Sequence, residues 1–259
     1  VDGYVATGTK GLYPHVLAGT GDIDITGFRA PVSYYRETVF GLRDEPYIAV
    51  HRPSLHGRPL SGSPWSWDPV VSTWTWDAAP GAPVTVDVYS DAETVELVLD
   101  GVSLSTAPVG AERAFTARFE TEYRTGELVA IARRGEVETG RATLRSADSA
   151  HPRLAARAEL DRIGTDADVL AFVPITLEDA AGTPIVDADR VVSVSVEGPG
   201  VLAALGTGRI STEEVFGGTS CTTYDGRALA IVRPTGPGTA IVRVTTPGLE
   251  EATATIEAE

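Results

Sequence analysis

Gly21-Asp22-Ile23-Asp24-Ile25-Thr26-Gly27-Phe28-Arg29-Ala30-Pro31-Val32-Ser33-Tyr34-Tyr35-Arg36 is the stretch whose reading decides the rest of this chain. It reads as an entry into a helix. Asp24 to Gly27 is rich in turn formers. Pro31 stands where a first-turn proline is tolerated, because that amide has no partner in a helix. Tyr34, Tyr35, Val39 and Phe40 recur at helical spacing and make one short apolar face. Gly41 is placed to end the helix, and Pro46 cannot continue it. The spacing therefore predicts a helix over about Pro31 to Phe40 and no other. A single helix ahead of a long non-helical chain suggests the tail of a larger body.

The bulk properties narrow the class. A length of 259 residues suits one to two domains, each large enough for a core. The formal net charge is -15, which argues against nucleic acid, since phosphate binding needs a basic face. No run approaches the ~18 apolar residues of a membrane span. The expectation is a soluble chain with no membrane partner. There is no Met, and Val1 is not an initiator, so a piece of a longer or processed gene product is expected. Cys221 is the single cysteine, which leaves no intrachain disulfide; a buried, inert thiol is the expectation.

From Tyr47 the period changes from helical to two. Tyr47 to His51 is a short strand candidate. Arg52 to Asp68 is a loop rich in Pro, Gly and Ser that carries Trp65 and Trp67. Val84, Val86 and Val88 alternate with Thr85, Asp87 and Tyr89; Val95, Leu97 and Leu99 follow the same rule up to an Asp100-Gly101 hairpin turn. Phe115 to Glu120, Leu128 to Ala132 and Val137 to Leu144 complete a first set. Ser146 to Pro152 is a linker candidate. A second set then runs through Val169 to Leu177, Val192 to Val196, Arg227 to Val232, Ala240 to Val244 and Ala252 to Ile256. Short strands with frequent turns predict a mainly β chain of two immunoglobulin-like sandwiches, each sheet keeping one wet face.

The opening stretch resembles a segment of glycoside hydrolase family 2, the β-galactosidase family. In that family it follows the eighth strand of the catalytic (β/α)₈ barrel and enters the last barrel helix. A lysine usually precedes the proline, where this chain has Ala30. The likeness continues downstream. Trp74-Thr75-Trp76, Pro80-Gly81, Val86 to Ser90, Asp91 to Leu97 and Asp100-Gly101 resemble the first all-β module after the barrel. Leu177, Asp179, Gly182, Val196 to Gly200 and Asp225 to Ala228 resemble the second, more loosely. The resemblance implies three regions: 1–45 as the end of the barrel, 46–147 as the first sandwich and 148–259 as the second. A lone short helix is marginal in water, so residues 1–45 are expected to be stabilised by the first sandwich.

Catalytic residues are not expected here. The resemblance implies a retaining mechanism with two carboxylates roughly 5 Å apart. Its acid/base glutamate directly follows an asparagine, and this chain has no asparagine; its nucleophile lies on a barrel strand before the point where the likeness begins. The fragment alone is therefore expected to be inactive, while a parent would act on terminal β-galactosides or related β-glycosides. Asp22 and Asp24 are a tempting pair that reads better as turn and helix-entry residues. His51 and His56 sit five apart without a third ligand, so no metal and no cofactor are expected. Trp65, Trp67, Trp74 and Trp76 remain as carbohydrate-binding candidates, since rings at i and i+2 share a face in an extended chain. The competing reading puts them in the core or at a seam with the barrel. The expected partner is the barrel of the same parent chain, with carbohydrate as a second; an oligomeric parent fits equally. Two rivals stay open: a free-standing pair of carbohydrate-binding sandwiches, and a surface or adhesion protein of tandem sandwiches. The compartment, cytoplasmic or secreted, is left open.

Overall fold

A computed structural model describes residues 13–17, 19–58, 67–166 and 168–259. Strands make up 47% of it and helix 6%, in several antiparallel sheets. Two compact units divide the chain, with a boundary between Ser146 and Ala147.

In the first unit the helix α1 spans Pro31–Val39, one residue short of the expected end. Its entry is built as the sequence suggested. The Asp24 Oδ1 accepts hydrogen bonds from the Thr26 amide, the Thr26 hydroxyl and the Phe28 amide. Its exit is a Schellman turn: the Gly41 amide donates to Thr38 and the Leu42 amide to Glu37, with Gly41 at φ +65°. The buried face is not the expected one. Val32, Ser33 and Thr38 are buried, while Val39 and Phe40 are exposed. The two tyrosines turn towards the sandwich, and the last apolar turn points away from it.

Among the described residues the sandwich that follows has eight strands. These are β1 (Tyr47–His51), β2 (Val70–Val71), β3 (Pro83–Tyr89), β4 (Thr94–Leu99), β5 (Val102–Pro108), β6 (Thr116–Glu122), β7 (Glu127–Arg134) and β8 (Val137–Arg145). One sheet has the order β2-β1-β3-β6, the other β5-β4-β7-β8. The chain crosses between the sheets after β3, after β5 and after β6, as in a two-sheet sandwich. Val84, Val86 and Val88 from one sheet meet Val95, Leu97, Leu128 and Ala130 from the other in one core. Asp100 and Gly101 both have positive φ, as a type I′ hairpin requires.

The expectation of a wet outer face fails on β3. Thr85, Asp87 and Tyr89 are as buried as most of the core, although they point away from it. Alternation was real, but α1 and the loop after β1 cover that side. Sequence period reports which side a residue takes, not what lies over it.

The second unit holds β9 (Arg153–Ala156), β10 (Arg162–Ile163), β11 (Ala171–Glu178), β12 (Val191–Glu197), β13 (Gly200–Gly206), β14 (Ser220–Thr222), β15 (Arg227–Pro234), β16 (Gly238–Thr245) and β17 (Ala252–Ala258). Its sheets are β10-β17-β16-β12-β14 and β13-β15-β11-β9. Val173, Ile175, Val192, Val242 and Ile256 meet between them. Here the outer faces of β12 and β17 are exposed at alternate positions, as expected. Residues 13–17 belong to this unit: His15 bridges Ser211, and the Val16 and Leu17 amides donate to Ile210. The expectation that 1–45 leans on the first sandwich is corrected for the described residues 13–17, which group with the second unit, whereas Gly19 onward groups with the first.

Candidate functional site

The covered face of the β2-β1-β3-β6 sheet gathers the chain's most unusual chemistry. At one end it is aromatic. Tyr34 of α1 stacks on Tyr47 of β1 at 4.2 Å, nearly parallel, and Tyr47 is again parallel to Tyr89 of β3 at 6.1 Å. Tyr35 meets Tyr89 edge-on at 5.3 Å. The Arg29 guanidinium caps the stack 4.0 Å above Tyr34, and Arg43 lies over both Tyr34 and Tyr47. Each such contact is worth about 0.5–1 kcal/mol or more. Burial pushes the Tyr47 hydroxyl up to about 12, against a hydrogen bond from Ser72 that opposes it. These rings anchor the helix.

At the other end the face is charged. Asp87 on β3 lies opposite Arg118 on β6 in the ladder. Arg118 grips its carboxylate with Nε and a terminal nitrogen, at 2.7 and 2.8 Å. The His51 Nε2 sits 2.8 Å from the same carboxylate, and Asp68 is 3.3 Å from Arg118. Burial would raise the Asp87 pKa, but the hydrogen bonds from Arg118 and His51 outweigh it and hold it below the usual carboxylate range. Arg118 is in turn raised, chiefly by its hydrogen bonds to Asp87.

A pocket of about 350 Å³ opens over this end. His51, Thr85, Arg118 and Glu120 form its floor; Arg52, residues 55–58 and residues 68–69 wall it. Glu120 is fixed by the Thr85 hydroxyl, which lies within 3.0 Å of both carboxylate oxygens.

Two chemistries can be weighed at once. His51, Asp68 and Asp87 place ligand atoms within 4.8 Å of one another, a spacing that suits a metal ion. The Arg118 guanidinium already occupies the cation position between the two carboxylates, so the donor set does not fit one. A glycosidase pair fares no better. It needs a carboxyl kept protonated to serve as acid, whereas the hydrogen bonds from Arg118 and His51 hold Asp87 below the usual carboxylate range.

The residues singled out by sequence scatter. Trp74 and Trp76 are core residues, 0% and 7% exposed. They cannot offer a ring face to a sugar. Trp67 is 44% exposed and is touched by Tyr35 and by the Arg36 guanidinium. Trp65 lies outside the described residues. His56 lines the pocket, but only His51 joins the charged cluster. Asp22 forms an ion pair with Arg36, and Asp24 makes the turn before α1. Cys221 is buried, and burial pushes its thiol up to about 12, as an inert core cysteine requires.

The sequence reading missed Asp87, Arg118 and Asp68. One signal was available for the first two. Val-Asp-Val on one alternating strand and Ala-Arg-Phe on another put opposite charges on matching outward positions, as a cross-strand pair requires.

Comparison with known proteins places the whole. Residues 154–255, in the second sandwich, match the model of the glycoside hydrolase family 2 C-terminal domain 5. Residues 81–140, in the first, match a domain of unknown function, DUF4982. The chain is 24% identical over 261 residues to the β-galactosidase BoGH2A of Bacteroides ovatus, covering 99% of itself and 27% of that protein. Two solved structures of family 2 members from Bacteroides cellulosilyticus align with TM-scores of 0.87 and 0.82. They are 30% and 31% identical to it over 96% and 93% of this chain, which covers 32% and 33% of theirs. The chain therefore spans between a quarter and a third of these relatives. Residues 154–255 thus carry a glycoside hydrolase family 2 C-terminal domain, and the chain as a whole is similar to the C-terminal portion of members of that family.

Proposed function

We propose that this chain is the non-catalytic C-terminal part of a β-galactosidase-like enzyme. In the whole protein it would support a catalytic barrel that hydrolyses terminal β-galactosides or related β-glycosides by the two-carboxylate retaining route. The observation that carries this reading is the opening element. α1 is tied to the first sandwich by its tyrosines, yet its last turn leaves Phe40 and Leu42 73% and 76% exposed, with Val39 beside them. Large apolar side chains grouped at the end of one helix mark an interaction surface. A barrel whose last helix is α1 would bury them, and the likeness to relatives three to four times as long supports such a body.

The same element argues against a tandem adhesion array, which has no use for a helix docked on one sandwich. The test is an assay with chromogenic β-galactosides, β-glucuronides and β-mannosides. The purified 259 residues should show no turnover; the full parent product should release galactose with retained configuration. Turnover that co-purifies with the short chain would overturn the non-catalytic assignment, and a parent inactive on all three classes would overturn the glycosidase one.

A further inference from the structure

The pocket over Arg118 is not explained by support of a barrel. Its polar groups are arranged in a way that selects among ligands. Arg52, Arg58 and Arg118 line it, with Asp68 and Glu120, and Asp87 lies beneath Arg118. Taking histidines as neutral, the formal charges balance, three arginines against three carboxylates. A phosphate or sulfate site would carry an excess of donors, and a cation site an excess of carboxylates. Neither excess exists here.

What the floor does offer is fixed donors beside fixed acceptors. Arg118 is held by two bonds to a carboxylate that is 3% exposed, and Glu120 is held by Thr85. Neither side chain has to be ordered when a ligand arrives, so little entropy is lost on binding. A hydroxyl group both donates and accepts. A ligand bearing several of them on adjacent carbons can give protons to Glu120 and Asp68 while accepting from Arg118 and its neighbours. The volume lies at the lower end of the ~300–1,000 Å³ typical of small-molecule sites.

We propose that this pocket in the first sandwich binds a neutral saccharide, one or two residues long, through the Arg118–Glu120–Asp68 set. The proposal rests on the reading of the chain as part of a glycosidase, which supplies the reason for sugar to be nearby. It differs from the tryptophan platform suggested by sequence. The recognising groups are polar and lie on the sheet face, and Trp74 and Trp76 take no part.

The test is NMR titration of the 259-residue chain with methyl β-D-galactoside, lactose and cellobiose, with sodium sulfate, galacturonate and zinc chloride as the charged probes. Saturable shifts are expected with at least one neutral sugar, at a Kd near ~1 mM, which is about 4 kcal/mol of binding. Glu120→Gln and Asp68→Asn, both of unchanged shape, should each weaken it about tenfold, as loss of a hydrogen bond to a charged acceptor does. Circular dichroism confirms that each variant is folded. Arg118 is left in place, because its removal would strand Asp87. No shift with any neutral sugar at ~50 mM, where even a ~10 mM site would be mostly filled, overturns the proposal. So do wild-type affinities in both variants, or saturation by sulfate, galacturonate or zinc in place of neutral sugar. Hydrolysis by the parent is read separately, so a failure there leaves this binding result standing on its own.

Discussion

At the scale of single residues, Asp87 is the most consequential side chain in the first sandwich. It is a carboxylate buried on the outer side of a strand, and only Arg118 and His51 make that tolerable. Arg118 is itself half-exposed and keeps Asp68 nearby, so removing the Asp87 charge costs its charged hydrogen bonds, about 1.5–3 kcal/mol, rather than stranding a buried charge. Asp87→Asn is therefore expected to lower stability at pH 7 by roughly 2 kcal/mol. The pH dependence follows from the direction of its shift. Its folded pKa lies below the unfolded value of about 3.9. The ionised carboxylate thus stabilises the fold fully above that unfolded value, and the contribution is lost as pH falls through the folded one. Urea unfolding of wild type and variant at pH 7 and pH 3 checks this. The gap between them should narrow on acidification; a gap that stays constant would show that the charge on Asp87 contributes nothing.

At the scale of elements, the helix and its punctuation were the most legible part of the sequence. Asp24, Gly27, Pro31 and Gly41 each have one local role, and local roles are written in local residues. Asp100-Gly101 was legible for the same reason. β13 was not read, because Val201 to Leu205 is a run of Val, Leu and Ala without alternation, and its bulge at Leu202 to Ala204 breaks the register further. β9, β10 and β14 are four residues or shorter and carry too little pattern. The candidate site was legible only as scattered parts. His51 was noticed, but its meaning depends on Asp87 and Arg118, 36 and 67 positions away. Only the strand register brings those together. A prediction at this scale concerns the exit of α1. Gly41 has φ +65°, and a Cβ there would meet nothing within 4 Å. Gly41→Ala should therefore cost only the backbone strain, about 1 kcal/mol, with faster amide exchange at positions 41 and 42. No change in either would mean that the Schellman turn is not what holds the end of α1.

At the scale of the whole molecule, the two cores share no residue. Each sandwich has closed its own apolar interior, which is what an independently folding domain requires. The sequence provides separate reporters for them. All four tryptophans fall in the first unit, and the single cysteine falls in the second. Tryptophan emission thus follows the opening of one sandwich. Labelling of Cys221, shielded by burial and by its high pKa, follows the opening of the other. Leu97 in the first core and Ile175 in the second are both 0% exposed. Truncating either to alanine should cost about 2–5 kcal/mol in its own sandwich. Leu97→Ala is expected to move the tryptophan transition to lower denaturant and leave the cysteine labelling curve where it was. Ile175→Ala should do the reverse. A chain that unfolds as one cooperative body would instead shift both curves in both variants, and the division into two folding units would be wrong.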